Sequence, residues 1–355
     1  MVKIVLTGGG TAGHVTPNLA LIEAMDLLNW RIDYIGSQEG IERHMIEREG
    51  IPYHGIQTGK LRRYWSWQNF IMPFKVLTGL VAAYRFLKYI KPDIVFSKGG
   101  FVAVPVVISA WLRRIPVIAH ESDFTLGLAN TLSFPFVTKL CVAFEDTKIQ
   151  AKYPNKVTVT GTPIRSELFH GSKSRALKYC GFDGTKPIIL IQGGSLGAKK
   201  INDVVRESID KLTEKFHIIH LCGKGKLDTT LNNHQNYFQV EYAYSEMADF
   251  LAASDIVISR AGANSIYELL ALGKPHILIP LPLSHSRGDQ IVNAKFFEQK
   301  GISTVIQNEA LTPTALITTI NTLSQHLAAI KHKIAALKVE SATAKILDIL
   351  KEQLS

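Results

Sequence analysis

The sequence predicts an α/β protein built from two doubly wound, Rossmann-like domains that face each other across a cleft. Three observations support this fold class. Continuous apolar runs indicate buried strands, helical patterns separate these runs, and the same order restarts near the middle of the chain. The 355 residues suffice for two domains of ordinary size.

The first half opens with an apolar strand at residues 2–9, a glycine turn and a helix at 17–29. Further apolar runs predict strands at 31–37, 92–100, 115–122 and 138–144. These strands carry no alternation of polar and apolar residues, so we expect a parallel sheet covered on both faces.

The pattern restarts after "VTVTGTPIR" (157–165) and a charged stretch that ends at Lys186. A strand, glycine turn and helix occupy 187–202, and further strands are expected at 217–225, 255–262 and 275–283. Residues 330–354 have a helical pattern. We therefore predict domains at 1–161 and 162–337, a hinge near 161–165, and a C-terminal helix at about 338–355 that packs back on the first domain.

Composition narrows the class of protein. Hydrophobic residues make up 46% of the chain and charged residues 20%, which favours a large core over disorder. The net charge of +10 suits phosphate, nucleic acid or an anionic membrane as partner. Three widely spaced cysteines predict free thiols. No signal peptide or membrane-spanning run is recognised, so we expect a cytoplasmic location.

Three glycine-rich loops follow predicted strands, at 8–14, 97–105 and 193–198. Glycines let backbone N–H groups approach an anion, and a following helix adds its dipole, so the loops favour a phosphate-bearing ligand. The first loop fits the dinucleotide pattern through Gly8, Gly10 and Gly13. However, the second strand ends in Gly36 and Ser37 and lacks the required carboxylate, which disfavours NAD.

The second half holds polar residues that suit a nucleotide sugar. Glu268 follows a strand that ends at Ser259–Arg260, and a carboxylate there could accept both ribose hydroxyls; a solvated helix glutamate is the alternative. Asp289, Gln290 and Asn293 suit sugar hydroxyls, and Arg165 suits a diphosphate. No metal-ligand cluster is recognised, because His217 and His220 would point to opposite faces of a strand.

Residues 57–120 form a basic and aromatic flank with ten basic residues and one acidic residue, Asp93. Its basic residues are Lys60, Arg62, Arg63, Lys75, Arg85, Lys88, Lys91, Lys98, Arg113 and Arg114, and its large apolar residues are Tyr64, Trp65, Trp67, Phe70, Ile71, Phe74 and Trp111. The helical spacing of Phe70, Phe74, Leu77, Val81 and Tyr84 predicts that much of this stripe is core. The surplus cations and aromatics favour an anionic lipid surface, and no nucleic-acid-binding motif is present.

Several motifs together resemble one family over nearly the whole chain. They are "GGGTAGHVTPNLA", "SKGGFVAVPV", "HESDFTLGLAN", "TGTPIR", "GGSLGAKKIN" and "SRAGANSIYELLALGKP" followed by "RGDQIVNA". The family is that of MurG-type undecaprenyldiphospho-muramoylpentapeptide β-N-acetylglucosaminyltransferases, which are GT-B enzymes. The resemblance implies transfer of GlcNAc from UDP-GlcNAc to the C4 hydroxyl of lipid-linked MurNAc-pentapeptide, with inversion, at the cytoplasmic face of the cell membrane. Because the sequence contains no Asp-x-Asp motif and no metal-ligand cluster is recognised, we expect the reaction to need no metal or other cofactor.

The resemblance also implies roles for individual residues. The first domain would take the acceptor and meet the membrane, and the second would bind UDP-GlcNAc. The implied substrate-binding residues are Thr11, Ala12, Gly13, Asp123, Arg165, Ser195, Tyr244, Ala263, Asn264, Ser265, Ile266, Glu268 and Gln290. The implied site for the acceptor diphosphate comprises Gly99, Gly100 and Phe101.

Inversion requires a base for the acceptor hydroxyl, and His14 is the first candidate because a neutral imidazole is basic at cytoplasmic pH. Asp123 and Glu121 are the alternative bases, and a purely hydrogen-bonding role for His14 stays open. Three other functions also stay open at this point. They are a related transferase with another UDP-sugar or glycolipid acceptor, a UDP-GlcNAc 2-epimerase, and a basic nucleic-acid-binding protein.

Overall fold

A computed structural model describes residues 1–58, 68–149, 152–194 and 197–354, without the side chains of 68–75 and 149. The chain divides into two compact units, which we call unit 1 and unit 2. Unit 1 comprises residues 1–165 and 341–355, and unit 2 comprises residues 166–340.

The described residues form thirteen strands in two sheets, and every pairing between neighbouring strands is parallel. The strands are β1 (Lys3–Thr7), β2 (Arg31–Ser37), β3 (Tyr53–Ile56), β4 (Ile94–Ser97), β5 (Val117–Glu121), β6 (Lys139–Val142), β7 (Val157–Val159), β8 (Ile188–Gln192), β9 (His217–Leu221), β10 (Tyr237–Val240), β11 (Ile256–Ser259), β12 (His276–Leu278) and β13 (Thr304–Val305). The strand order is β3-β2-β1-β4-β5-β6-β7 in unit 1 and β10-β9-β8-β11-β12-β13 in unit 2. The predicted fold class of two Rossmann-like α/β domains is confirmed.

Helices connect the strands, as parallel pairing requires. They are α1 (Thr16–Asp26), α2 (Ile41–Arg48), α3 (Gln68–Ile90), α4 (Ala103–Leu112), α5 (Leu128–Ser133), α6 (Glu145–Ile149), α7 (Lys173–Cys180), α8 (Lys199–Glu207), α9 (Ile209–Lys215), α10 (Glu246–Ala253), α11 (Ala263–Ala271), α12 (Asp289–Gln299), α13 (Pro313–Gln325), α14 (Leu327–Ala336) and α15 (Thr343–Glu352). The central strands are buried along their length, which accounts for their continuous apolar sequences.

Four strands were not predicted from the sequence: β3, β7, β10 and β13. Each is an edge strand of its sheet. An edge strand has a neighbour on one side only, so its residues are partly exposed and its apolar pattern is weak; β3 and β13 have mainly half-buried residues. The central strands, in contrast, match the predicted apolar runs.

The prediction of one helical segment over 330–354 is wrong in its middle. Helix α14 ends at Ala336 and α15 begins at Thr343. Between them Lys338 has a positive φ of 48°, which an α-helix does not accommodate. The chain there leaves unit 2 and enters unit 1, where Ser341 Oγ accepts a hydrogen bond from the backbone N–H of Ile164 at 2.9 Å.

Helix α15 belongs to unit 1 and packs beside α1. Its buried residues Ile346 and Leu350 join a core cluster that includes Leu21 and Met25 of α1. The amphipathic sequence of α15 explains this position, because the helix has one apolar face and therefore needs a partner that covers it.

Candidate functional site

The first glycine loop lies at the topological switch point of unit 1. Strand β1 pairs with β2 on one side and β4 on the other, so the loops that follow β1 and β4 are neighbours. Ligands of doubly wound sheets bind at this place, outside the carboxyl ends of the strands. Gly99 and Gly100 have positive φ angles of 88° and 84°, and a side chain at Gly100 would collide with the carbonyl oxygen of Gly9. Glycine at position 100 therefore allows the two loops to meet.

Glu42 of α2 holds the first glycine loop, a role that sequence reasoning missed. Its side chain is buried, and its Oε2 accepts a hydrogen bond from the backbone N–H of Gly10 at 3.1 Å. Its Oε1 accepts hydrogen bonds from the backbone N–H and the hydroxyl of Ser37. In the sequence Glu42 resembles any solvated helix glutamate, and no local signal would have identified this contact.

His14 ends the first glycine loop and is half-buried. Its Nδ1 lies 3.0 Å from the Thr11 hydroxyl, which fixes the orientation of the ring. Desolvation by the surrounding protein, followed by the positive charge of Lys98, lowers the pKa of His14 from 6.5 to about 4, although the charge of Asp123 acts in the opposite direction. The imidazole is therefore neutral at neutral pH and available as a hydrogen-bond or proton acceptor. Ala12 and Gly13 lie in the same turn between Thr11 and His14.

Glu121, an alternative base in the sequence analysis, is a loop anchor in the structure. Its Oε1 accepts a hydrogen bond from the backbone N–H of Asp123 at 3.1 Å. Its Oε2 accepts from the N–H of Gly127 at 2.9 Å and from Nδ2 of Asn130 at 3.0 Å. These contacts occupy both carboxylate oxygens and position the loop that carries Asp123. Asp123 itself is half-buried and close enough to His14 to affect its pKa.

The third glycine loop lies at the equivalent switch point of unit 2. Strand β8 pairs with β9 on one side and β11 on the other, so residues 193–198 and 260–262 follow neighbouring strands. Gly194 and Gly197 have positive φ angles of 95° and 67°. Ser195, the predicted diphosphate contact in this loop, lies outside the described residues.

Helix α11 begins directly after residues 260–262 and carries five of the predicted donor residues. They are Ala263, Asn264, Ser265, Ile266 and Glu268. Gly262 precedes the helix and provides no side-chain cap, so its first N–H groups suit an external acceptor. Asn264, Ser265 and Glu268 are half-buried on one face, whereas Ile266 packs in the core. The spacing of three and four residues puts Glu268 one turn beyond Asn264 and Ser265.

Gln290 lies close to the start of α11. Its Oε1 accepts a hydrogen bond from the backbone N–H of Leu281 at 3.0 Å, which orients the amide. Its Nε2 lies within contact distance of the position that a side chain at Gly262 would take. Asn293, one turn further along α12, is buried, and its Nδ2 donates to the carbonyl of Ala261 at 3.3 Å. Gln290 and Asn293 thus join α12 to the loop before α11.

Arg260 lies in the loop between β11 and α11, and its guanidinium is hydrogen-bonded to other segments of unit 2. Its Nη1 donates to the carbonyl oxygens of Ile279 and Pro280 and to Oδ1 of Asn308, at 2.9 to 3.2 Å. Burial lowers the pKa of Arg260 from its ordinary value. Its role is therefore to hold the loops after β11 and β12 together.

Three further predicted residues are Tyr244, Arg165 and Phe101. Tyr244 follows β10 and is 56% exposed, and its ring centroid lies 4.7 Å from that of Tyr242 with the two ring planes tilted by 57°. Arg165 is half-buried and is the last residue of unit 1 before the chain enters unit 2. Phe101 is half-buried after Gly100 and precedes α4.

The two histidines of β9 have structural partners. His217 Nε2 lies 2.9 Å from Asp183, and His220 lies within hydrogen-bond distance of Tyr237 and Asn202. Over the ranges that the structure describes, no three His, Cys, Asp or Glu side chains are grouped so that they could hold a metal ion.

The basic and aromatic flank is described only in part. Residues 60–67 lie outside the described part of the chain, and the side chains of 68–75 are not described either. The prediction that the stripe is core is wrong for Leu77, Val81 and Tyr84, which are exposed. Helix α3 instead buries Ala83 and Leu87, because these small and apolar residues form the face toward α4.

The exposed stripe adjoins other exposed apolar residues. Trp111 and Leu112, at the end of α4, are about half exposed, and the guanidinium of Arg113 lies 5.1 Å from the ring centroid of Tyr84. Among the helices that the structure describes, none has the length and apolar character that a membrane span needs.

Two family models match the chain. The glycosyltransferase family 28 N-terminal domain matches residues 4–142, and the glycosyltransferase family 28 C-terminal domain matches residues 188–352. The chain belongs to glycosyltransferase family 28. The switch point of unit 1 therefore lies within the matched N-terminal domain and that of unit 2 within the matched C-terminal domain.

Relatives that match almost the full length of the chain carry more specific names than the two family models. A Legionella pneumophila (strain Paris) protein is 55% identical over 351 residues, which cover 99% of this chain and 97% of the relative. A Clostridium botulinum (strain Loch Maree / Type A3) protein is 53% identical over 352 residues, 99% of each chain. Both are named UDP-N-acetylglucosamine--N-acetylmuramyl-(pentapeptide) pyrophosphoryl-undecaprenol N-acetylglucosamine transferase.

Solved structures agree with this family. The crystal structure of Acinetobacter baumannii MurG has a TM-score of 0.77 with 26% identity, covering 99% of this chain and 100% of that chain. A Neisseria meningitidis UDP-GlcNAc 2-epimerase has a TM-score of 0.69 with 16% identity, covering 99% of this chain and 100% of that chain. The epimerase shares the fold, and at 16% identity the likeness to this chain extends to the fold alone.

Proposed function

We propose that this chain transfers GlcNAc from UDP-GlcNAc to the C4 hydroxyl of undecaprenyl-diphospho-MurNAc-pentapeptide, with inversion, and so forms lipid II from lipid I in peptidoglycan synthesis. The observation that carries this proposal is the 55% identity over 99% of the chain to a relative named for the same transfer. The two switch points support it, because each offers glycine-rich backbone to a phosphate-bearing substrate.

Unit 2 binds the donor. The uncapped N–H groups at the start of α11 contact the nucleotide through Ala263 to Ile266, and Glu268 accepts hydrogen bonds from the ribose hydroxyls. The amide of Gln290, oriented by Leu281, contacts the sugar. Ser195, Arg165 and Tyr244 complete the donor site; a cationic guanidinium suits the charge that develops on the leaving UDP.

Unit 1 binds the acceptor. The loop with Gly99, Gly100 and Phe101 receives the diphosphate, and the turn with Thr11, Ala12 and Gly13 closes around the reacting sugar. His14, neutral and oriented by Thr11, removes the proton of the C4 hydroxyl as that oxygen attacks C1 of GlcNAc and UDP leaves. Asp123 is the alternative base in the same loop cluster. The proposed reaction requires no nucleic acid as a partner.

Release of UDP tests the proposed function. The purified chain is mixed with UDP-GlcNAc and a short-chain lipid-diphosphate MurNAc-pentapeptide, and UDP and the disaccharide product are both measured. We expect both products in equal amounts. Release of UDP without acceptor, together with an epimerised sugar, would favour a 2-epimerase. Turnover only with another UDP-sugar or another glycolipid would favour a related transferase.

We expect turnover to be independent of a divalent cation. The proposed site uses Arg165 and backbone N–H groups to stabilise the leaving diphosphate, a role that metal ions have in other transferases. The measurement is the rate of UDP release in EDTA and after addition of Mg²⁺ or Mn²⁺. Loss of turnover in EDTA that a divalent cation restores would contradict this expectation.

The basic and aromatic flank supports reversible attachment to the cytoplasmic face of the cell membrane. Leu77, Val81, Tyr84 and Trp111 are exposed apolar residues, and Arg113 and Arg114 lie directly after Trp111 and Leu112. Apolar side chains beside cations suit a surface of anionic lipid headgroups. An acceptor with a long lipid tail also requires such contact.

Reversal of four charges in this flank should reduce binding to anionic vesicles. The variant replaces Arg62, Arg63, Arg113 and Arg114 by glutamate, and a sedimentation assay measures vesicle binding. High salt should have the same effect, because it screens exposed charges over about 8–10 Å. Reaction with a short-chain soluble acceptor should be unchanged.

A matched control reverses four exposed lysines of unit 2: Lys178, Lys211, Lys215 and Lys224. This control changes the net charge equally and should retain more vesicle binding than the flank variant. Equal losses in both variants would indicate a general charge effect and contradict a localised membrane surface.

A further inference from the structure

A chain of buried polar side chains adjoins the third glycine loop in unit 2. It comprises Asn202 of α8, His220 of β9 and Tyr237 of β10, each of which is at most 5% exposed. The Nδ1 of His220 lies 2.9 Å from the Tyr237 hydroxyl, and its Nε2 lies 3.1 Å from Oδ1 of Asn202. The Nδ2 of Asn202 donates in turn to the carbonyl oxygen of Cys222 at 2.8 Å. The chain of hydrogen bonds therefore ends on the backbone that follows β9.

The amide of Asn202 sets the direction of every hydrogen bond in this chain. Its donor nitrogen faces the carbonyl of Cys222, which can only accept. Its Oδ1 must therefore accept, so Nε2 of His220 carries the ring hydrogen. Burial, followed by the positive charge of Arg206, lowers the pKa of His220 from 6.5 to about 3, and the neutral ring has a single hydrogen. Nδ1 consequently accepts from the Tyr237 hydroxyl.

The carbonyl of Cys222 also contacts the third glycine loop. Gly197 has a positive φ of 67°, and a side chain there would collide with this carbonyl oxygen. The backbone N–H of Gly197 donates to the carbonyl of Gly194 at 2.8 Å, which closes the turn. Helix α8 begins two residues later, at Lys199, and carries Asn202 in its first turn. One carbonyl thus meets the loop and is hydrogen-bonded to the helix that follows the loop.

We propose that His220 is a positioning residue for donor binding: through Asn202 it holds the Cys222 carbonyl and the third glycine loop in the conformation that receives the diphosphate of the nucleotide sugar. This inference rests on the proposed function, in which that loop contacts the diphosphate, and adds to it a residue that does not itself contact the substrate. His220 is fully buried and therefore acts only through its neighbours. Tyr237 assists by keeping the ring hydrogen on Nε2.

His220→Leu and His220→Gln test this role. Leucine fills the space without a donor, whereas the side-chain amide of glutamine can replace the ring N–H toward Asn202. Isothermal titration gives the Kd of UDP, and an NMR titration gives that of uridine, which has the same nucleoside but no phosphate. We expect His220→Leu to weaken UDP binding about 5- to 30-fold, because a buried amide oxygen loses its donor and the loop is no longer held. Uridine binding should stay unchanged, and His220→Gln should restore most of the UDP affinity.

His217→Leu is the matched control. His217 is also buried on β9, but it begins the strand, at the end of the sheet opposite to the glycine loops, and its Nε2 lies 2.9 Å from Asp183. We expect a lower melting temperature with unchanged affinities for UDP and uridine. Melting temperatures of all variants show whether each is folded.

Two further measurements do not depend on the leucine variant. Tyr237→Phe removes only a hydroxyl, so the ring hydrogen of His220 can move to Nδ1; UDP affinity should fall by a smaller factor than in His220→Leu, again without an effect on uridine. In the unsubstituted protein, ring ¹⁵N chemical shifts identify the nitrogen that carries hydrogen. For His220 this nitrogen should be Nε2.

Three results would overturn the assignment of His220. Equal losses of UDP and uridine affinity without rescue by glutamine would show that His220 only stabilises unit 2. Unchanged UDP affinity in folded His220→Leu would show that the loop does not depend on it, and a ring hydrogen on Nδ1 would contradict the direction of the hydrogen bonds. Failure of the unsubstituted chain to bind UDP is a different result, because it would reject the proposed function itself.

Discussion

Replacement of His14 by alanine should lower kcat by about 10²–10⁴-fold, the usual contribution of a general base, while UDP binding stays close to normal. The acceptor hydroxyl is a weak acid and must lose its proton during attack. The Thr11 hydroxyl, 3.0 Å from Nδ1, holds the imidazole ring in place, and the glycines beside it let a substrate approach closely. Alanine leaves the turn without a proton acceptor.

The pH dependence of kcat provides a second readout for the same variant. A base acts in its neutral form, and the pKa of His14 is lowered to about 4. The neutral form therefore persists well below pH 6.5, and we expect the rate to fall only as the pH approaches that lower pKa. In His14→Ala the residual rate should no longer fall in this acidic range. Circular dichroism at each pH shows whether the protein is still folded, which excludes acid unfolding as the cause of a lower rate.

An unchanged kcat with a raised KM for the donor would contradict this role. His14 would then be a binding residue, and Asp123 would be the next candidate for the base. Asp123→Asn separates the two, because the amide keeps the size of the side chain but cannot accept a proton readily. Glu121 is a poor third candidate, since its oxygens already accept hydrogen bonds from the Asp123 loop and Asn130.

Replacement of Glu268 by alanine should weaken UDP binding about 10- to 100-fold. Hydrogen bonds to a charged group contribute about 1.5–3 kcal/mol each, and the proposed contact is with the ribose hydroxyls. Glu268 is half-buried on the face of α11 that carries Asn264 and Ser265, whereas the core face carries Ile266. The fold should therefore tolerate the change. Isothermal titration with UDP measures the effect.

Glu298→Ala is the matched control for this measurement. Glu298 is exposed on α12 in the same unit, so its loss removes a helix glutamate without touching the start of α11. We expect its UDP affinity and melting temperature to equal those of the unsubstituted chain. Equal UDP affinity in Glu268→Ala would show that Glu268 is a solvated residue and exclude the ribose contact.

The central strands could be predicted from the sequence because their burial requires continuous apolar residues. Strands β1, β4, β8 and β11 all follow from such runs, and the glycine loops after β1, β4 and β8 mark the carboxyl ends of their strands. The edge strands β3, β7, β10 and β13 could not be predicted in the same way. Their residues contact a neighbour on one side only, and their composition does not distinguish them from loops.

The sequence by itself determined the fold class, the family resemblance and the residue types of the candidate site, because periodicity, glycine turns and motif order are local properties. The tertiary structure alone decided which charges meet. Glu42 supports the first glycine loop from 32 positions away, and Glu121 accepts a hydrogen bond from the backbone N–H of Asp123. Lys98, one of ten cations in a basic stretch, is buried, whereas Leu77 and Val81 are exposed. Burial and hydrogen bonding between distant segments arise only when the sheet and helices pack, so no local pattern encodes them.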